Sequence, residues 1–459
     1  MRISDILPKR VGLLGLGREG LATQQVLRAA GYQGELLVFG DSPPEKLPVG
    51  CRFVPTPEAA DELTQLDVII RSPGFPPSHR LRQLLDSYTC EQTTATAIFM
   101  HEMRDAAIPV IGITASKGKS TTSALTHACL QAAGQPSLLV GNIGQPAIEL
   151  LELILQNKPT VVMELSSYQC ADLQMGYGAP VASIGALFPE HLDYHGSWDA
   201  YINAKLNIAR SQRAEDVLIC HSGSFPTLQS LNLQQHVELV NHADGLHYES
   251  GWFYDGSQPL ISDVGMQISG THNRQNACMA FALARRFGVT TEHFAKALNT
   301  FVGLPFRLES EGIHHGIHWV NDSISTAPEA TAAALEALGK SVHTLIAGGQ
   351  DRGLDPEVMV AAINNSGVRE VVLLPDTGRR IASFLEASEQ QPGIHLVLTM
   401  EEAVQLAVSL TPPGLTCLMS PGAPSYNSFS GFEARGREFR RCLATSPANA
   451  NASGYSFER

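Results

Sequence analysis

The segment Gly112-Ile113-Thr114-Ala115-Ser116-Lys117-Gly118-Lys119-Ser120-Thr121-Thr122 constrains this chain more than any other. It follows the β-branched run Pro109-Val110-Ile111-Gly112-Ile113 directly and opens a helical pattern. A glycine-bearing turn between strand and helix, closed by Lys-Ser-Thr, is a phosphate-binding loop in outline, because backbone N–H groups at a helix N-terminus face an anion. Lys119 would reach the β- and γ-phosphates of a nucleotide, and the Ser120 hydroxyl would bind Mg²⁺. The spacing is not the strict G-x-x-x-x-G-K-[ST], since Gly112 stands one residue early and position 113 is Ile. A lysine-capped loop without function is the plainer alternative.

Short apolar runs alternate with helical patterns three times, which predicts parallel α/β layers. The first series is Val11–Leu14, Glu35–Phe39 and Asp67–Ile70; the second is Pro109–Ile113 and Thr160–Met163, closing with an Ala-rich helical pattern over Asn276–Phe287. The third is Thr344–Ala347, Glu370–Leu374 and Leu415–Met419, with a helix over Pro328–Leu338 that Pro can open. At roughly 150 residues per domain, 459 residues make about three domains. The expected divisions are 1–106, 107–303 and 304–445, with a small, polar, disordered tail over 446–459. Residues 218–267, broken into pieces rich in Gly, Ser and His, are read as the edge and loops of the central sheet.

Composition narrows the function. Charged residues are 17% and hydrophobic ones 44%, which suits globular domains and excludes a disordered chain. The net charge of −13 is the opposite of what a non-specific polyanion binder carries, so no nucleic-acid partner is expected. The eight Cys are scattered without a C-x-x-C pair, as reduced thiols of a cytosolic protein would be. No secretory pattern and no apolar run near the ~18 residues of a membrane span is read, so a soluble, cytoplasmic protein is expected.

Further motifs carry chemistry. Gly15-Leu16-Gly17-Arg18-Glu19-Gly20 follows the first strand and matches G-x-G-x-x-G, a dinucleotide fingerprint that is weak alone. Arg18, with Arg71-Ser72-Pro73-Gly74 after a later strand, would equally suit a diphosphate-bearing substrate. Glu164 ends an apolar strand one strand over from the phosphate loop, where a metal-holding carboxylate belongs; a solvated loop glutamate is the alternative. His191-Leu192-Asp193-Tyr194-His195 lacks the ligand spacing of zinc, whereas an Mg²⁺ site beside phosphates needs only one further protein ligand and water. Ser197 caps a helical pattern in which Tyr201, Lys205 and Ile208 share a face. A lysine there either snorkels or is a modified or pKa-shifted group at a site.

Taken together, these residues resemble the Mur ligase family, ATP-dependent amino-acid ligases of peptidoglycan precursor synthesis, and within it the glutamate-adding ligases. The resemblance spans about residues 10–443. It also rests on Gly141-Asn142-Ile143-Gly144, His272-Asn273 with Asn276, Leu304-Pro305-Phe306-Arg307, Asn321-Asp322-Ser323, Ser420-Pro421-Gly422 and Phe432-Glu433-Ala434-Arg435-Gly436. It implies three domains: a Rossmann-like one holding the UDP moiety, a central P-loop-type ATPase, and a Rossmann-like C-terminal one bringing the amino acid. The implied substrates are ATP, UDP-N-acetylmuramoyl-L-alanine and glutamate, with Mg²⁺, in an enzyme that is often monomeric. The acceptor carboxylate attacks the γ-phosphate, and the glutamate amine then attacks the acyl phosphate.

The resemblance also implies residue roles. Lys119, Glu164, His191 and Lys205 would be catalytic, with Ser120, Glu164, His191 and a carbamylated Lys205 holding metal. Thr114, Ser116, Lys117, Gly118, Lys119, Ser120, Thr121, Asn276, Arg307 and Asp322 would bind ATP. Gly15, Gly17, Arg18, Asp41, Ser72, Pro73, Gly74, Asn142 and His191 would bind the UDP substrate. Ser323, Ile324, Thr326, Arg352, Ser425, Tyr426 and Phe432 would bind the amino acid. Position 115 is Ala where most of the family has Gly, and Lys117 replaces the usual Asn, so altered loop backbone angles are expected. Ile324 stands where D-glutamate-adding members usually have Lys, and Arg352 where they have Lys after a Gly-Gly pair. Because Arg grips a carboxylate through a planar fork, this pattern points to the branch that adds L-glutamate. D-glutamate is the alternative, and an NAD-dependent oxidoreductase built on the first loop a remote one.

Overall fold

The computed structural model describes residues 1–44, 46–142, 145–229, 231–268, 270–351, 353–388 and 391–446, the Asp193 side chain apart. Arg352, the Ile143-Gly144 end of the Gly-Asn-Ile-Gly motif and the tail beyond Ser446 lie outside the described residues. The chain forms two compact units, Met1–Phe301 and Val302 onward.

The first unit contains two parallel sheets. One has five strands in the order Cys51–Pro55, Leu36–Gly40, Val11–Leu14, Val68–Arg71, Glu91–Thr94. Its three central strands are buried along their whole length, which is why they read as continuous apolar runs rather than alternating ones. The other has six strands in the order His236–Val240, Val217–His221, Val181–Ile184, Val110–Thr114, Thr160–Glu164, Ser137–Gly141. Val110–Thr114 sits inside this sheet, so the loop that follows it is delivered at the carboxyl edge, where α/β sheets bind ligands.

Residues 218–267 differ from the sequence expectation. Only their first part supplies sheet strands; Leu246–Glu249, Trp252–Asp255 and Gln258–Ser262 form a separate antiparallel sheet. Two tight turns cause this. Ser250 and Gly251 both take positive φ (48° and 89°), the backbone of a two-residue hairpin, and Gly256 (φ 56°) opens the second reversal. Leu246 and Phe253 then bury against Ala277, Ala280 and Phe281 of the helix Thr271–Ala284.

The second unit has six strands in the order Glu309–His314, Ile317–Asn321, Thr416–Met419, Val342–Gly348, Glu370–Leu374, Gly393–Leu396. Glu309–His314 pairs antiparallel, through a hairpin, and the other pairings are parallel. The helix Pro328–Leu338 has the bounds its sequence predicts, with Pro at its first turn and Gly339 (φ 61°) ending it. The architecture is α/β throughout. Among the described residues no helix is long and apolar enough to cross a membrane.

Candidate active site

The loop after Val110–Thr114 is built around one left-handed residue. Gly118 has φ 84° and immediately precedes the helix Lys119–Ala132, so the chain turns without a Cβ clash just where the first helical N–H groups point out. Ala115 is buried and does not take a positive φ. Position 115 thus keeps a backbone that Ala adopts without strain, and the positive φ of the loop falls on Gly118. A Cβ at 118 would lie 2.2 Å from Asn276 Oδ1. Gly118→Ala should therefore cost roughly 1–3 kcal/mol of stability and displace Asn276 from the loop. Thermal denaturation together with the KM for ATP checks this; an unchanged melting curve and KM would contradict it.

Four cationic or hydroxyl side chains converge on this loop. Lys119 Nζ donates to the carbonyls of Ala115 (2.9 Å) and Ser116 (3.0 Å). Ser120 is buried in the first turn of the helix. Thr114 Oγ1 donates to the Leu165 carbonyl at 2.8 Å, and Ser116 Oγ lies 2.6 Å from the Tyr201 hydroxyl. Lys117 and Thr121 are more open; Lys117 Nζ pairs with Glu190 at 2.5 Å, which occupies the side chain that departs from the family's Asn.

Glu164 lies opposite Ile113 in the neighbouring strand and is fully buried. Its Oε1 accepts from Asn142 Nδ2 at 2.7 Å, while Oε2 has no hydrogen-bond partner among the described residues. A buried carboxylate oxygen left unpaired is costly, and a cation is what would compensate it. The glycine before Asn142 makes this possible: a Cβ on Gly141 would lie 2.3 Å from the Glu164 carbonyl.

Lys205 comes from the helix Trp198–Arg210, started by Ser197, whose Oγ accepts from the Ala200 N–H at 3.1 Å. Tyr201, Lys205 and Ile208 share its buried face, as the spacing predicts. Lys205 does not snorkel: it is 1% exposed, and Nζ donates to the Ala115 carbonyl (2.7 Å) and Thr114 Oγ1 (3.2 Å), with Tyr201's ring 5.0 Å away. Burial, and then repulsion from Lys119, push its pKa down to about 7. His191 is exposed, takes a left-handed conformation (φ 54°) and lies 5.3 Å from the Tyr168 ring and 6.4 Å from the Tyr201 ring, measured between centroids.

The first Gly-rich turn is a second close strand-to-helix turn in the same unit. Gly15 has φ 86°, and a Cβ on Gly20 would meet the Gly15 carbonyl at 2.3 Å, so strand and helix approach closely. Gly17 and Arg18, at the helix start, are exposed. Ser72 Oγ reaches the Gly15 carbonyl (3.3 Å), and the Tyr194 hydroxyl donates to the carbonyls of Pro73 (2.8 Å) and Phe75 (3.1 Å), which pins Gly74 between them. Asp41 accepts from Thr56 Oγ1 (2.6 Å) and contacts His79 Nε2 (3.0 Å); both contacts hold its carboxyl below the usual range.

In the second unit, Asp322 is buried and both its oxygens are engaged, by the Leu308 N–H (3.1 Å), Ser325 Oγ (2.5 Å) and Ser420 Oγ (2.7 Å). Arg307 is exposed. Ser323 Oγ donates to the Phe432 carbonyl (2.8 Å) and accepts from Arg435 Nε (3.1 Å). The Ile324 N–H donates to the Phe306 carbonyl, Thr326 is half-buried and Tyr426 is 64% exposed. Ser425 is buried, with Oγ unpartnered among the described residues. Arg435 was not singled out from the sequence as a site residue. Nothing local marks it, because its buried guanidinium is held by groups over a hundred residues away, the hydroxyl and carbonyl of Ser323, together with the Ala423 carbonyl.

A phosphate loop, a buried carboxylate one strand over and a second glycine-rich cradle define an α/β enzyme that handles nucleotide phosphates. The description "Mur ligase middle domain" matches residues 113–284, and "Mur ligase, glutamate ligase domain" matches residues 306–422. The UDP-N-acetylmuramoyl-L-alanine--L-glutamate ligase of Xanthomonas campestris pv. campestris (strain 8004) is 36% identical over 465 residues, covering 98% of both chains. Among solved structures, a UDP-N-acetylmuramate-alanine ligase from Thermotoga maritima is similar with TM-score 0.58 at 17% identity, over 94% of this chain and 98% of that one. A MurF ligase from the same organism, in complex with ADP, gives TM-score 0.55 at 13% identity, over 95% of each. The chain belongs to the Mur ligase family, ATP-dependent enzymes that form amide bonds in peptidoglycan precursor synthesis, and it has that family's three-domain fold.

Proposed function

We propose that this ligase adds L-glutamate to UDP-N-acetylmuramoyl-L-alanine, as a cytoplasmic monomer with domains at about 1–106, 107–303 and 304–445. The observation that carries the phosphoryl-transfer half is the meeting of Lys119, Lys205 and Glu164 around Ala115 and the adjoining strand end. Two anions, an acceptor carboxylate and the ATP γ-phosphate, must approach each other. A cation fixed before they arrive, Lys119, lowers that barrier without reorganisation at the moment of reaction. Lys119 offsets charge on the β- and γ-phosphates, and the helix N-terminus beyond Gly118 receives phosphate oxygens. Attack of the acceptor carboxylate gives an acyl phosphate and ADP; attack of the glutamate amine then gives the amide and phosphate.

The donor set fits Mg²⁺: the unpaired Glu164 Oε2 and the Ser120 hydroxyl are hard oxygen donors. His191 and Lys205 complete the set in this reading, Lys205 as a carbamate. A lysine whose pKa is about 7 presents a free amine at neutral pH, which can add to CO₂ with loss of a proton and become an anionic oxygen ligand. When bound, Mg²⁺ neutralises phosphate charge. Asn276, Arg307 and Asp322 serve ATP, and Ser323, Ile324, Thr326, Arg352, Ser425, Tyr426 and Phe432 the amino acid. Asp322 does so by holding its loop in register with Ser325 and Ser420.

What supports the L-isomer is the Ile324 and Arg352 pattern, together with relatives of that name matching 98% of the chain. The test is phosphate release with Mg-ATP and UDP-N-acetylmuramoyl-L-alanine, run in parallel with L- and D-glutamate. Turnover with L-glutamate alone is expected. Turnover with D-glutamate alone would reverse the stereochemical reading and leave the ligase reading intact; silence with both would remove glutamate as the substrate.

A further inference from the structure

Arg71 closes the strand Val68–Arg71 and leads directly into Ser72-Pro73-Gly74. Its side chain is only 9% exposed, yet it has a single ionic contact, Nη2 to Asp172 Oδ1 at 2.6 Å. Nε and Nη1 are buried with no hydrogen-bond partner among the described residues. A guanidinium normally satisfies its donors when it leaves water, so two unmatched nitrogens in a nine-tenths buried arginine call for an acceptor. A second guanidinium stands nearby. Arg82 donates to the Phe75 carbonyl at 3.3 Å, and it is close enough to Arg71 for the two charges to repel. Among the described residues Asp172 is the one carboxylate that pairs directly with Arg71. The segment they flank is held from both sides: Ser72 Oγ bonds the Gly15 turn and the Tyr194 hydroxyl bonds the carbonyls of Pro73 and Phe75.

We propose that Arg71 is a diphosphate-binding residue of the nucleotide-sugar site, donating its uncommitted N–H groups to an anionic oxygen of the substrate while Asp172 fixes the guanidinium. This rests on the reading of the first glycine-rich turn as the UDP cradle. The placement favours the diphosphate over the distant acceptor carboxylate, because Arg71 adjoins the loop packed on Gly15 and Gly20.

The test is calorimetric binding of UDP and of uridine to the full chain, wild type against Arg71→Met, Arg71→Lys and Asp172→Asn. Arg71→Met should weaken UDP binding roughly tenfold or more, as loss of a charge-assisted hydrogen bond does, and leave uridine binding unchanged. In turnover it should raise KM for the UDP substrate and not for ATP. Arg71→Lys should recover part of the loss, and Asp172→Asn should weaken UDP binding less than Arg71→Met. Should Arg71→Met unfold, the pair Arg71→Met with Asp172→Asn, which leaves no unpaired buried charge, takes its place. Equal UDP affinity in wild type and Arg71→Met overturns the proposal. So does an equal loss for UDP and uridine, or equal losses from Arg71→Met and Asp172→Asn with matching falls in Tm, either of which makes the pair a structural tie. Wild-type protein that binds no UDP would instead bring down the cradle reading, and this inference with it.

Discussion

Lys119→Ala should reduce phosphate release by roughly a thousandfold while leaving the fold intact. Lys119 is the first residue of its helix and reaches back to the Ala115 and Ser116 carbonyls of its own loop, so its truncation opens no cavity in the sheet core. What is lost is a cation fixed in advance where charge accumulates as the γ-phosphate leaves ADP. Removing one such donor typically costs about 10²–10³ in rate, and a full charge beside phosphate belongs at the upper end. The loss should fall on kcat more than on KM for the UDP substrate, because in the proposed reading that substrate's diphosphate binds at the other glycine-rich turn. Steady-state kinetics with each substrate varied, alongside a melting curve, decide it. A variant keeping a tenth of wild-type kcat would dissociate the loop from phosphoryl transfer.

Lys205→Met should separate stability from activity. The methionine matches the lysine stem in volume and removes a buried cation whose neighbours include Lys119. Turnover should fall at least about a hundredfold, since no anionic ligand can form at 205. The metal-free protein should nevertheless gain roughly 1–2 kcal/mol near pH 6, because burying the charged form is unfavourable. The pH dependence follows from the depressed pKa. Below about 7 Lys205 is protonated in both folded and unfolded chains, and the burial penalty is fully present. Between there and the ordinary lysine value of 10.5 the unfolded chain binds the extra proton, so wild-type stability rises with pH. The advantage of the methionine variant is therefore widest at pH 6 and narrows above pH 7. Denaturant midpoints for both proteins at pH 6, 7 and 8.5 measure this. A gap that stays constant or widens with pH would show that Lys205 is not held in the way described.

Sequence reasoning reached the parts of this molecule whose cause is local. Val110–Thr114 followed by Gly118-Lys119-Ser120, the Ser197 cap, and the helix Pro328–Leu338 are dictated by neighbours within a few residues, and all stand where their patterns place them. The antiparallel strands over 246–262 are not legible as a sheet apart from the central one, because the hairpin signal is Ser250-Gly251, a weak pair beside Asn-Gly, and the strands are only four or five residues long. Distant partners were out of reach. That Gly118 must be Gly because of Asn276, that Asn142 anchors Glu164, and that Arg71 keeps unmatched nitrogens all depend on contacts between segments far apart in sequence. The roles of Arg307 and Asp322 came through resemblance, and the hydrogen bonds of Asp322 to Ser325 and Ser420 give that carboxylate a scaffolding duty that no motif announces.

The Ala115 carbonyl accepts from both Lys119 and Lys205. While Lys205 is protonated, two ammonium groups share one oxygen as on a thermodynamic see-saw: an anion that drew Lys119 outward would leave more of that oxygen, and less repulsion, to Lys205. Nucleotide binding and proton binding are then linked functions of one peptide group. Whatever factor ATP applies to the proton affinity of Lys205, protonation of Lys205 must apply in return to the affinity for ATP.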